Sequence, residues 1–110
     1  MANKREFKKY LCQVSENLMS EMTFAASVTE GADITLVDGA AIDVLKACSN
    51  ALMHCNVKFD KTAGAFENER EYRKQRNIFY NEMYAKINRE FVDAVDAAVK
   101  KFNSAMPHSR

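Results

Sequence analysis

The stretch "NIFYNEMYAKINREFVDAVDAAVKKFNS" (Asn77 to Ser104) decides the fold class. Tyr80, Tyr84, Ile87, Phe91, Val95, Ala98, Phe102 and Ala105 recur at steps of three and four residues, the period of one face of an α-helix. No Gly or Pro falls between Ala65 and Met106, and Pro107 ends the run. The spacing therefore predicts a long core-facing helix over about 77–104.

Working back along the chain, the same period appears twice more. Phe7, Leu11, Val14, Leu18, Met22 and Ala25 form a stripe that predicts a helix over about 4–28, with Asn3 and Glu6 placed as a capping box and Gly31 placed to stop it. Val37, Ala41, Leu45, Cys48, Leu52, Cys55 and Phe59 form a second stripe, which predicts a helix over about 36–59, opened by Thr35 and Asp38 and weakened at its start by Gly39. "DKTAGA" (Asp60 to Ala65) breaks the pattern, and the stretch from Glu67 to Arg76, seven of whose ten residues are charged, has little apolar face. It reads either as a solvated extension of the third helix, with Glu69 and Arg73 paired at i,i+4, or as a separate short helix or loop. One domain over residues 1–110 follows from the length. The fold class expected is all-α: an antiparallel, up-down-up three-helix bundle with a long C-terminal helix.

Composition narrows the function classes. Three Gly and one Pro in 110 residues disfavour turn-rich β architecture. A net charge of +1 supplies no overall field toward nucleic acid or membrane. The charged opening "MANKREFKKY" lacks the apolar core of a signal peptide, and no stretch approaches the length of a membrane span. Three cysteines in a chain large enough for its own core read as reduced thiols, which implies a cytoplasmic protein.

The one chemical cluster is "KACSNALMHCNVKF" (Lys46 to Phe59), with Cys48, His54 and Cys55. On a helix, Cys48 and Cys55 share a face but stand about 10 Å apart along the axis. A disulfide needs Cα atoms within about 7 Å, and zinc ligands must converge on one point. His54 points about 100° away from Cys55. Both cysteines fall on the apolar stripe, so they read as core, with no metal. There is no CxxC, P-loop, GxGxxG, HExxH or Gly-x-Ser-x-Gly, and neither His54 nor His108 follows a Glu by three residues as di-iron bundles require. No catalytic residue, cofactor or metal ligand is assigned, and a non-enzymatic protein is expected.

Two further patterns bear on partners. A second apolar row on the third helix, Ile78, Ala85, Val92, Val99 and Met106, repeats every seven residues and lies about 60–160° from the main stripe. Cys12, Met19 and Ala26 form a shorter row of the same kind on the first helix. Seven-residue spacing is that of a helix-to-helix seam, so the long row is the expected surface of a homodimer. Alternatively, a wide apolar face buried on two sides within one bundle has the same pattern. Basic clusters at Lys4, Arg5, Lys8 and Lys9, at Arg70, Arg73, Lys74 and Arg76, and at Lys100 and Lys101 support a second reading, a nucleic-acid-associated regulator. Glu67, Glu69 and Glu71 among them favour a solvated helix face.

The order "KREFKKY…SENLMSEM…AAS", then a Gly-containing turn and a second helix, then "INREFVDAVDAAVKKF", resembles a group of small, uncharacterised helical proteins from Bacteroidetes. The resemblance covers about Lys4 to Phe59 and Asn77 to Phe102, leaving 60–76 as an insertion. It implies a short cytoplasmic helical protein of bacterial origin and assigns no residue a role. The function expected is a helical protein–protein interaction module that self-associates.

Overall fold

The computed structural model describes residues 4–107, so the Asn3 cap and His108 lie outside the described residues. Among those described, the chain is all-α: α1 (Lys4–Val28), α2 (Ile34–His54) and α3 (Glu69–Ala105), with one 3₁₀ turn at Ala63–Ala65. The molecule is a rod of 65 × 20 × 19 Å.

α1 matches its expected limits and ends at a turn where Gly31 takes φ 87°, a conformation that a side chain would disfavour. α2 starts from Asp33, whose carboxylate accepts the Leu36 N–H at 3.2 Å, rather than from Thr35. It also stops at His54, five residues before the boundary expected at 59. There the backbone tightens, Asn56 N–H donating to Met53 O and Val57 N–H to His54 O, while the Asn56 side chain accepts a hydrogen bond from Lys8 Nζ at 3.0 Å.

α3 begins eight residues before the boundary expected at 77. Asn68 caps it, accepting the Glu71 N–H at 2.8 Å. Glu69 and Glu71 complement the positive end of the helix dipole, and Arg73–Glu69 (2.6 Å) and Gln75–Glu71 (3.0 Å) pairs staple the first turns. Of the two expectations for this segment, 69–76 takes the first, a solvated extension of the third helix.

α2 packs against both α1 and α3. Its inward face is made of small residues, Val37, Ala40, Val44, Ala47, Cys48, Ala51 and Cys55, all buried. Small side chains let neighbouring helices approach closely. α1 and α3 contribute the bulk, chiefly Leu11, Met22, Ile87 and Phe91. They meet one another through rings: Phe7 to Tyr84 at 5.0 Å and Tyr10 to Phe91 at 6.5 Å between centroids. The core divides along the rod into three clusters, around Leu11 and Phe91, around Met22 and Val44, and around Ala26, Val37 and Ala105. Ser15, the one buried polar residue among those described, donates to Leu11 O at 2.8 Å.

Both ends of the rod are tied. At one, the Asp33 N–H donates to the Ala105 carbonyl at 2.8 Å, satisfying an acceptor that the helix end leaves free. At the other, about four turns of α3 (residues 69–83) run past the level of Phe7. The 55–68 connection folds onto this overhang. Phe59 packs against Phe66, Tyr72 and Phe79 at 5.3–6.2 Å, and its N–H donates to Tyr80 Oη at 3.1 Å. Phe59 therefore anchors an aromatic lobe rather than the last turn of α2.

Candidate functional site

The cysteine–histidine stretch forms part of the core. Cys48 and Cys55 are buried and free, and the Cys48 thiol faces Leu11 O at 3.9 Å. Burial pushes the Cys12 thiol up, with the neighbouring Cys48 adding to the shift. Burial also pushes up Cys55, opposed by Lys8 and Lys4. His54 is exposed. Among the described residues, no three His, Cys, Asp or Glu side chains are grouped so as to hold a metal ion.

A shallow groove of about 340 Å³ lies between the end of α2 and α3, floored by Val57, Phe79, Met83 and Ile87 and rimmed by His54, Glu82, Lys86 and Glu90. Nothing in it aligns a nucleophile with a base.

The seven-residue row on α3 is split. Ile78 and Val92 are 40% and 39% exposed, and Ala85 is exposed between them, but Val99 and Met106 pack against the core. The cause is geometric. A seven-residue repeat slips about 20° per heptad around a straight helix, so four heptads carry the row about 80° around α3. It leaves the solvent side at Ile78 and reaches the core-facing side by Val99 and Met106. On α1, Cys12 and Met19 are half-buried and Ala26 is buried.

The largest apolar exposure on one helix lies on α2. Ile34 (53%), Ile42 (50%), Leu45 (52%) and Met53 (69%) are all half or more exposed. At 100° per residue they fall within an arc of about 100° on the outer flank, over about 28 Å of helix. Thr35, Asp38 and Ser49 lie in the same arc and are exposed. Leu45, placed on the inward stripe by its spacing, belongs to this outer strip; Val44 takes the core position. α2 carries only three charged residues, Asp38, Asp43 and Lys46. A helix apolar almost all round is normally covered on every side, and here the outer flank is bare.

Charge is polarised along the rod. The end that holds residues 4–9 and 55–84 carries ten basic and six acidic residues, whereas the rest of the described chain carries five and nine. The clusters at Lys4–Lys9 and Arg70–Arg76 thus share one end. Within it, Arg73 is paired with Glu69, and Arg76 sits over the Tyr72 ring at 5.6 Å. Lys101, at the opposite end, runs past Gly39 and reaches Asp43 at 2.6 Å.

No helix of the described residues is long and apolar enough to cross a membrane. Comparison with models of known protein families, with curated proteins and with solved structures finds no match.

Proposed function

We propose that this chain is a non-enzymatic helical interaction module that self-associates into a homodimer, a cytoplasmic protein of bacterial origin built as an up-down-up three-helix bundle and working without a cofactor. One observation carries this: the outer strip of α2, where four large apolar side chains are each half or more exposed. Burying such side chains in an interface gains about 25 cal/mol per Å² of apolar surface removed from water. The exposed part of the α3 row, Ile78, Ala85 and Val92, is a second and smaller apolar surface. The pairing of helix ends supports the topology: Lys8 of α1 meets Asn56 at the end of α2, and Asp33 before α2 meets Ala105 at the end of α3. Sedimentation equilibrium at tens of micromolar tests the reading, with a dimer expected and a monomer refuting it.

A second reading, a nucleic-acid-associated regulator, is favoured by the shared end of the two basic clusters, which neighbours an aromatic lobe. A mobility shift that weakens steeply with salt would support it, and retention of the shift after charge reversal at Lys4, Lys8, Arg70 and Lys74 would reject it.

A further inference from the structure

Positions on the outer strip of α2 are related by a simple rule. Ile34 and Met53 lie equally far from the midpoint between residues 43 and 44, and so do Ile42 and Leu45, Asp38 and Ser49, and Ala41 and Lys46. The geometry points to an antiparallel pairing of α2 with α2 of a second copy, with the two-fold axis crossing at the level of residues 43 and 44. This names the surface used in the proposed self-association and rests on it.

A two-fold axis perpendicular to a helix sets each residue against its mirror position in the other copy, so an isologous contact requires this kind of positional symmetry. Ile42 then meets Leu45 of the second copy and Leu45 meets Ile42, closing an apolar centre. Ile34 and Met53 meet at each end. The one acidic residue within the strip, Asp38, meets Ser49 of the second copy, a hydroxyl able to donate to it. Lys46 lays its aliphatic stem over Ala41 and keeps its ammonium at the rim. The spacing Thr35, Asp38, Ile42, Leu45, Ser49 alternates steps of three and four, as a helix seam requires. A parallel two-fold pair would instead set Asp38 against Asp38 and Lys46 against Lys46, with like charges opposed. Charge thus selects the antiparallel arrangement, and the mapping of the exposed apolar strip onto itself selects a second copy as the occupant. The evenly spaced α3 row satisfies the same positional rule, but its slip around the helix removes Val99 and Met106 from any common strip and leaves only Ile78, Ala85 and Val92, a shorter and less apolar one.

The test uses two exposed positions, so folding is not at issue. Asp38 and Ser49 are about 16 Å apart within one helix and cannot touch there. Ser49→Asp sets carboxylates against each other twice per dimer and should weaken dimerisation roughly tenfold or more in sedimentation equilibrium. Adding Asp38→Lys to that variant should restore or exceed wild-type association, because each new Lys faces a new Asp. Failure of the second substitution to restore the dimer overturns the antiparallel register. A dimer untouched by Ser49→Asp overturns pairing through α2 while leaving self-association standing, and Val92→Glu then tests α3 as the seam. A monomeric wild type overturns both.

Discussion

Truncating two leucines separates the core from the surface of this rod. Leu11 is 0% exposed and sits among Ala47, Cys48, Ala51, Cys55, Ile87 and Phe91. Its neighbours on α2 are too small to move into the space that Leu11→Ala would leave. The loss therefore combines the transfer cost of the removed methyl and methine groups with that of an unfilled cavity, about 3–5 kcal/mol. Against a total of about 5–15 kcal/mol for a domain, this takes a large fraction of the stability. Leu45 is 52% exposed, so Leu45→Ala costs the protomer less than about 1 kcal/mol. The assay is urea unfolding followed by circular dichroism at two protein concentrations, because a dimer adds a concentration-dependent contribution. The Leu11 loss should be the same at both concentrations, and any Leu45 loss should grow as the protein is concentrated. If the two substitutions cost the same at low concentration, Leu45 faces the core and the position of α2 described above is wrong.

Other perturbations follow from the same contacts. Cys48→Ser should cost about 1–3 kcal/mol, because the sulfur already stands 3.9 Å from Leu11 O, a carbonyl that Ser15 occupies, so the shorter serine side chain buries a hydroxyl without a partner; no measurable loss in urea unfolding would show that the hydroxyl finds an acceptor. Burial raises the thiol of Cys55 and the phenol of Tyr84 above their ordinary values of 9.0 and 10.0. Since the folded values are the higher ones, this stability is fully present below about pH 9 and is lost as pH rises through the folded values. Unfolding free energy should therefore fall on the alkaline side, and a flat profile from pH 8 to 11 would contradict the burial of both groups. Phe59→Ala should open the 55–68 connection to faster hydrogen exchange while the centres of α1 and α2 stay protected. Equal acceleration throughout would mean that the aromatic lobe holds the whole rod. Asp43→Ala should change stability by less than about 1 kcal/mol, because its ion pair with Lys101 is more than a third exposed, and a larger loss in thermal melts would show a stronger coupling.

The sequence displays its helices wherever apolar residues recur on one narrow face. The stripe from Tyr80 to Ala105 and the one from Phe7 to Ala25 both lie inward, half-buried or buried. α2 resists the same treatment because apolar residues stand side by side at Ala40–Ala41, Val44–Leu45 and Ala47–Cys48. Several stripes then fit equally well, and the choice falls on packing: small residues turn toward the close neighbours and Leu45 turns out. The start of α3 has no apolar face to detect and is held by the Asn68 cap and by i,i+4 pairs. Phe59, Phe66, Tyr72 and Phe79 follow no helical period across the connection, so their meeting is a tertiary event that local spacing does not encode. The candidate surface was half legible. Exposed seven-residue rows pointed toward helix pairing, but only the slip of the α3 row and the bare flank of α2 indicate which helix has apolar surface to spare.

Sedimentation equilibrium of the wild type beside Ile42→Glu with Leu45→Glu tests the central claim most directly, with circular dichroism recorded on both. The wild type should be a dimer at tens of micromolar and the doubly charged variant a monomer with unchanged helicity. A monomeric wild type, or a variant that remains dimeric, would contradict the account. So would a variant that loses its helices, because Ile42 and Leu45 would then lie in the protomer core rather than on its outer flank.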